Sequence, residues 1–277
     1  MNWAALRWSV RREIWENKSI YAGPVAVACI FLAGFVASLV ARPEMIQEMA
    51  TASASASEPY MYAVLVIMAT AAVVGIFYCL DALYGERRDR SILFWKSLPV
   101  SDAVTVMSKA AIVFLVLPVI TIAVTIVLHL VMLLISSVIL AVDGSGLGGL
   151  WQTVDPGRFA LRLVYHMFSI HVLWYAPIFA WVLLASALAR RAPFVWAGLP
   201  VLAIVVVERL VLGSSKFLGM LKFRTMGGPE MFSSSNDMLG SADALAFVRS
   251  PGFWIGIAVA IAFLTIAVRV RRGNVPI

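Results

Sequence analysis

Long apolar runs separated by short polar segments set the pattern of this chain. The runs at 20–40 and 60–80 contain no charged residue, and a third run, at 103–142, contains only Lys109. Apolar runs of about 18 or more residues are typical of membrane-spanning helices. The pattern therefore predicts an all-α polytopic membrane protein.

The third run is long enough for either one helix or two. Two helices would need a turn between them, yet no Gly, Asn or Asp occurs between Pro118 and Asp143. We therefore predict one long helix, which at about 1.5 Å per residue extends beyond a bilayer core of about 30 Å. Pro118 is a candidate site for a kink.

Three further helices follow the glycine-rich turn at 143–149. The fourth helix is predicted at 159–189 and the fifth at 193–212. The sixth begins at Ser250-Pro251, where Ser caps the helix and Pro fills its first position. Six transmembrane helices place both termini on the same side of the membrane.

A polar segment, 213–250, lies between the fifth and sixth helices on the outer side. Two stretches of it, 215–228 and 240–250, are apolar enough for short helices that either rest on the outer surface or dip partly into the membrane. The first apolar run is longer and starts later than the core of a secretory signal, so we predict a retained helix. We interpret residues 1–277 as a single transmembrane domain.

Composition and charge agree with a membrane protein. Hydrophobic residues make up 62% of the chain and charged residues 13%, against about 25% charged residues in soluble domains. The net charge of +7 does not require nucleic acid, because Lys and Arg gather in cytoplasmic segments of membrane proteins. With the N-terminus inside, thirteen Lys and Arg fall in cytoplasmic segments and seven in outer segments. We therefore expect cytoplasmic termini and no nucleic-acid partner.

An amphipathic helix is predicted at 1–18, ahead of the first run. On a helical wheel, two stripes of side chains emerge: Trp3, Leu6, Val10 and Ile14 form the first, and Trp8 and Trp15 form the second, with Arg11 close by. A basic helix with Trp is suited to the membrane interface. It is either a topology anchor alone or a helix that contacts lipid on one side and protein on the other.

The segment 84–102, YGERRDRSILFWKSLPVSD, places charges and then an apolar cluster between the second and third runs. It is either an ordinary solvated loop or a docking site. We favour docking, because exposed apolar clusters usually mark contacts and because aromatic and Arg side chains dominate such contacts. A short helix from Asp89 is predicted to end at Leu98, since the residue before Pro99 is disfavoured in a helix.

Three blocks of the sequence resemble bacterial ATP-binding-cassette (ABC) permeases of the type-2 exporter family. In chain order they are RREIWENKSIYAGP, YGERRDRSILFWKSLPVSDAVTVMSK and WVLLASALARRAPFVWAGLP. The resemblance covers nearly the whole chain, and the middle block is its most specific part. It implies a permease of the bacterial inner membrane that pairs with a second permease, identical or related, and with two cytoplasmic ATPase subunits.

The resemblance also implies roles for individual residues. The segment 84–102 would be the coupling helix that inserts into the ATPase, through Glu86, Arg87, Arg90, Phe94, Trp95 and Leu98. The helix at 1–18 would be the connecting helix beside it, with Trp8, Arg11 and Trp15. ATP and Mg²⁺ would be bound by the partner ATPase, so we expect no cofactor in this chain.

We expect no enzyme active site and no metal site. The phosphate-binding motif G-x-x-x-x-G-K-[ST] is absent from the sequence, and GSGLGG at 144–149 lacks its Lys. No Ser/His/Asp or paired-carboxylate constellation falls at one membrane depth. We interpret His129, His166 and His171 as helix-packing residues, because 166 and 171 lie on different faces of their helix, unlike clustered metal ligands.

Glu208 and Arg209 lie near the outer end of the fifth helix. Charged residues within membrane helices are functional candidates. Neighbouring residues do not face each other on a helix, so each of the two needs its own partner. They are either solvated at the outer rim or part of a gate or substrate contact, because the resemblance places this helix near the translocation path.

The resulting prediction is the permease subunit of an ATP-driven exporter, which forms the translocation path as a dimer. The alternative is a signalling or structural subunit of the membrane, driven by the same ATPase, that transmits conformational change without moving a substrate. An outer segment of only 38 residues, 213–250, favours the exporter. The sequence leaves open the substrate and whether the second permease is an identical copy.

Overall fold

A computed structural model describes residues 3–42, 44–51, 54–97, 100–226 and 250–273, and within these ranges the chain is helical without strands. Its α-helices are α1 (Trp3–Glu16), α2 (Ser19–Ala41), α3 (Glu44–Ala50), α4 (Glu58–Ala82), α5 (Tyr84–Arg88), α6 (Ser91–Ser97), α7 (Asp102–Ala111), α8 (Leu117–Val142), α9 (Gly148–Val154), α10 (Pro156–His166), α11 (Ala176–Leu188), α12 (Pro193–Val211), α13 (Lys216–Met226) and α14 (Pro251–Gly273). A 3-10 turn covers Ala54–Ser57, and π-helical segments cover Ile112–Val116 and Met167–Trp174.

Five helical stretches of the described chain are long and apolar enough to cross a membrane. They are Ser19–Ala41, Glu58–Arg88, Asp102–Val142, Pro193–Val211 and Pro251–Gly273. Helices suit such segments because a bilayer core offers the backbone no other hydrogen-bond partners. The prediction of an all-α polytopic membrane protein is confirmed at this level.

A sixth span depends on the region predicted as one helix at 159–189. Gly148–Trp174 and Ala176–Leu188 pass the same test together, but they meet at an angle of 48°. The bend falls where Pro177 opens α11, and proline lacks the N–H that would continue the preceding helix. The pair is either one broken span or a re-entrant loop, so the part of the chain that the structure describes has five spans or six.

The third run forms one helical stretch, as predicted. Asp102–Val142 extends over 41 residues without a turn. A π-helical segment, Ile112–Val116, interrupts the regular helix directly before Pro118. The missing N–H of Pro118 removes a regular hydrogen bond at this point, which accounts for the irregularity.

One compact unit of the chain comprises residues 19–74 and 117–168. Its core packs apolar side chains of α2, α4 and α8, together with Leu150 of α9. The imidazole of His129 stacks on the ring of Phe159, with centroids 3.9 Å apart, and lies 5.5 Å from the ring of Tyr60. The Tyr60 hydroxyl is 3.2 Å from that of Ser136. We call these ring contacts within the largely aliphatic core the aromatic core, and no Asp, Glu, Lys or Arg that the structure describes in this unit is buried.

The other unit comprises residues 1–18, 75–116 and 169–277. Within it α11 packs along α14 through Ala176, Ala180 and Ala260. Small side chains of this kind let membrane helices approach closely. Helix α12 follows, and the indole of Trp181 on α11 donates to the carbonyl of Ala197 at 2.9 Å.

Candidate functional site

Helix α1 turns an acidic residue inward, and this residue is the start of a buried ionic site. Glu13 is 1% exposed. Its carboxylate accepts from the ammonium of Lys109 at 2.9 Å, from the guanidinium of Arg12 at 2.6 Å and from the hydroxyl of Tyr78 at 2.8 Å. Lys109 lies on the buried face of α7, so these contacts fasten α1 to α7 and α4.

A second carboxylate, that of Glu86 on α5, lies on the other side of Lys109. Glu86 is 8% exposed, and its Oε1 is 3.1 Å from Lys109 Nζ. Its Oε2 accepts from Arg271 of α14 at 2.7 Å, and Arg271 also pairs with Asp102 at the start of α7. Ser101 caps α7 by accepting from the N–H of Val104, which fixes the first turn that carries Asp102.

We call this site the ionic cluster. Its charges balance, since three bases face three acids: Arg12, Lys109 and Arg271 against Glu13, Glu86 and Asp102. Charges removed from water are stable only when each is paired, and a pair that loses one partner is strongly destabilised. The ionic cluster therefore fixes α1, α5, α7 and α14 at one point.

Two carboxyl groups of α1 respond to this surrounding in opposite ways. Burial alone would raise the pKa of Glu13, but Lys109 and Arg12 outweigh it and hold that pKa below its ordinary value. Burial raises the pKa of Glu16. Its carboxylate lies 3.4 Å from the Arg12 guanidinium, which is farther than the 2.6 Å between Arg12 and Glu13. Glu13 is thus the acid that the ionic cluster keeps ionised.

Arg87, the neighbour of Glu86, is also buried and binds backbone. Its guanidinium donates to the carbonyl of Ser186 at 3.0 Å and to that of Ala189, at the end of α11. The Ser186 hydroxyl in turn accepts from the N–H groups of Leu83 and Tyr84, at 3.1 and 2.9 Å. Cationic side chains suit helix C-termini, whose last carbonyls lack partners. Arg87 therefore ties α5 to α11.

Beyond the buried pair, the segment turns and presents an exposed face. Arg90 has a φ of +58°, and this left-handed residue separates α5 from α6. On α6 the side chain of Ile92 is buried, whereas Leu93 and Phe94 are 59% and 58% exposed. The helix predicted here is observed as Ser91–Ser97, and Leu98 lies outside the described residues.

Trp95 differs from its neighbour Phe94 because it also packs inward. Its ring lies 4.9 Å from that of Phe94, and the guanidinium of Arg12 sits 3.6 Å from its centroid. Arg12 belongs to the ionic cluster, so Trp95 joins α6 to that cluster. Of the six coupling residues predicted, Glu86, Arg87 and Trp95 thus make internal contacts, while Arg90 and Phe94 are exposed.

The three residues predicted for the connecting helix lie together on the exposed face of α1. The Arg11 guanidinium is 5.5 Å from the ring centroid of Trp8 and 4.7 Å from that of Trp15. Such distances are typical of cation–π contacts. This face of α1 is exposed and cationic, whereas Glu13 of the same helix is buried and acidic.

Glu208 and Arg209, the two charged residues near the end of α12, make different contacts. The Glu208 carboxylate accepts from the Ser214 hydroxyl at 2.6 Å and from the N–H groups of Lys216 and Phe217, at 2.7 and 2.9 Å. Glu208 therefore caps the first turn of α13, a favourable position for an anion. The side chain of Arg209 is exposed.

Sequence reasoning did not identify five members of the ionic cluster: Arg12, Glu13, Asp102, Lys109 and Arg271. A signal for one of them was present, since Lys109 is the only charge in the run 103–142. A charge isolated in an apolar run demands a partner. Its partners could not be named, because they lie 96 and 23 residues away in the chain.

The histidines do not assemble a metal site within the described ranges, where no three His, Cys, Asp or Glu side chains come together. His171 packs against the ring of Phe179, with centroids 6.0 Å apart.

Comparison of the chain with protein-family models, with curated proteins and with solved structures found no match.

Proposed function

We propose that this chain is the permease subunit of an ATP-driven exporter in a bacterial inner membrane. The observation that carries the proposal is the division of the segment 84–97 into a buried part and an exposed part. Glu86 and Arg87 bind several helices internally, while Leu93 and Phe94 face outward. A segment built in this way can receive a force outside the membrane and pass it to spans.

The resemblance to type-2 exporter permeases supplies the source of that force. In this proposal a dimer of cytoplasmic ABC ATPases binds ATP and Mg²⁺ and docks on α6. A second permease, identical or related, completes the translocation path. Both termini are cytoplasmic, as the distribution of Lys and Arg favours.

The ionic cluster supports the step from docking to transport. Movement of α6 acts on Trp95 and Arg12, and movement of α5 acts on Glu86. Glu86 is paired with Lys109 of α7 and Arg271 of α14. Because close pairing is the stable arrangement for these buried charges, the two spans follow the segment.

The test is affinity purification of the full chain from native membranes in mild detergent, with identification of every co-purifying protein. We expect an ATPase that carries the G-x-x-x-x-G-K-[ST] motif to stay with the wild type and to be lost from a Leu93→Ala/Phe94→Ala variant. Met220→Ala is the control, because Met220 is 59% exposed on α13 and belongs to another surface. These exposed substitutions leave the fold intact.

Trp95→Ala is a poorer test, since it also removes the ring on which Arg12 rests. The proposal fails if no such ATPase accompanies the wild type, or if the double variant retains it. Association with a periplasmic protein in place of the ATPase would favour the alternative, a signalling subunit.

A further inference from the structure

The exposed face of α1 takes no part in the ionic cluster. On this face Arg11 lies between the indoles of Trp8 and Trp15, as described above. Both indoles are largely exposed, at 59% and 64%, and so is Trp3 near the start of the helix. We call Trp8, Arg11 and Trp15 the Trp–Arg surface.

The charge of this face is positive. The acidic residues of α1 are Glu13 and Glu16, and both pair with Arg12. Among the described residues, neither Arg7 nor Arg11 forms an ion pair with an acid, and both of these side chains are exposed. An anion is the ligand that complements such a face.

The position of the Trp–Arg surface relative to the bilayer follows from the chain. Helix α1 ends at Glu16, and the membrane-spanning helix α2 begins at Ser19. Trp15 is therefore within a few residues of the membrane boundary. Trp side chains favour that boundary, where the ring is apolar and its N–H remains in contact with polar groups.

We infer that the Trp–Arg surface binds the phosphate of an anionic phospholipid headgroup. The planar guanidinium of Arg11 offers paired N–H donors to phosphate oxygens, and the two indoles hold it in place while they rest among the headgroups. The occupant is a lipid because the surface is cationic and because its helix ends, along the chain, three residues before the start of the membrane-spanning helix α2. This inference goes beyond the proposed function and requires no ATPase.

The experiment uses the purified full chain in detergent micelles doped with either phosphatidylglycerol or phosphatidylcholine. Native mass spectrometry counts the lipids that stay bound. We expect the wild type to retain phosphatidylglycerol in preference to phosphatidylcholine, and Arg11→Gln to weaken retention of phosphatidylglycerol about five-fold. A Trp8→Ala/Trp15→Ala variant keeps the charge but loses the rings, and its retention should fall as well.

Arg269→Gln is the matched control, because Arg269 is also an exposed base at the end of a spanning helix. The control should retain phosphatidylglycerol as the wild type does. If Arg11→Gln and Arg269→Gln lower retention equally, the lipid is attracted by the overall positive charge of the protein and is not bound at the Trp–Arg surface. That result overturns the inference. It is also overturned if the two lipids bind alike to the wild type.

Two further outcomes separate the lipid from other occupants. Inorganic phosphate should not displace the bound lipid, because it lacks the acyl chains that anchor the headgroup at the surface of the micelle. Displacement by inorganic phosphate would reassign the surface to a soluble anion. Unchanged lipid retention in the double Trp variant, with loss of a co-purifying protein, would reassign it to a protein partner.

Discussion

The two units of the chain bury their polar groups in different ways. In residues 1–18, 75–116 and 169–277, half of the buried polar side chains that the structure describes are charged, and each acid of the ionic cluster faces at least one base. In residues 19–74 and 117–168 the buried polar side chains that the structure describes are Thr, Ser and the imidazole of His129, which contacts the rings of Phe159 and Tyr60.

The two arrangements differ in how large a displacement of their side chains each can tolerate. Stacked rings and methyl groups can shift by fractions of an ångström at little cost, since dispersion contacts are weak individually and not directional. Buried ion pairs lose much more when a partner moves away, because an unpaired charge remains in a medium of low polarity. The ionic cluster is thus suited to transmitting a displacement, and the aromatic core to simple packing.

The largest effect is expected from removal of the central cation of the ionic cluster. Lys109→Met leaves Glu13 and Glu86 without the ammonium that lies between them. We expect a loss of about 3–5 kcal/mol in the free energy of unfolding. Thermal unfolding in detergent, followed by size-exclusion chromatography, measures it.

A second variant separates lost pairing from lost packing. Lys109→Met combined with Glu86→Gln restores the charge balance of the ionic cluster. This double variant should be more stable than the sum of its single variants predicts. Strict additivity would show that the two side chains do not interact, contrary to the 3.1 Å separation of their charged atoms.

A smaller loss is expected at the joint between α5 and α11. Arg87→Met keeps the apolar stem but removes the donors to the carbonyls of Ser186 and Ala189. We expect a cost of about 1.5–3 kcal/mol in the free energy of unfolding, the range for hydrogen bonds made by charged groups. The same unfolding measurement tests it, and Arg88→Met, at an exposed neighbour, should be close to neutral.

The pH dependence of stability should also reflect the ionic cluster. The native pKa of Glu13 lies below its ordinary value of 4.5, so its stabilising contribution is complete above that value. The contribution is lost as the pH falls through the lower native pKa, since Glu13 must then take up a proton. We expect the unfolding midpoint to drop below pH 4.5.

Neighbouring groups shape this response. Glu16 has a raised pKa, so its protonation begins at higher pH and favours the folded state, which confines the drop to more acidic solution. Glu13→Gln should flatten the acidic part of the profile. A profile identical to that of the wild type would mean that other carboxyl groups control acid unfolding.

The smallest effect is expected from the histidine of the aromatic core. The Nδ1 of His129 lies 3.1 Å from the Thr125 carbonyl, but its buried Nε2 has no hydrogen-bond partner among the residues that the structure describes. His129→Leu removes that unsatisfied atom along with one hydrogen bond, so we expect a change within about 1 kcal/mol. A loss as large as that of Lys109→Met would remove the contrast between the two units.

Much of the fold was predictable from the sequence because it depends on local pattern. Apolar runs of sufficient length identified the spans, and the absence of turn residues after Pro118 correctly predicted one stretch at 103–142. The break before Pro177 was not predicted, although proline near a helix start is a recognised signal. The apolar composition on both sides concealed it.

The candidate site was less predictable because it depends on distant pairs. Spacing along one helix predicted Arg11 close to Trp8 and Trp15, and its guanidinium lies 5.5 and 4.7 Å from their ring centroids. No local pattern indicates that Glu86 meets Arg271, which is 185 residues away. The sequence therefore identified the segment 84–102 but not the buried charges that attach it to the spans.

The short length of helix α12 affects how the protein responds to bilayer thickness. It has 19 residues and no buried side chain, and its polar attachments include Trp181 at one end and the Glu208 cap at the other. At about 1.5 Å per residue it is about 28 Å long, slightly less than a hydrocarbon core of about 30 Å. The 23-residue helices α2 and α14 exceed that thickness. A thicker membrane would therefore strain α12 first, and a thinner one would relieve it.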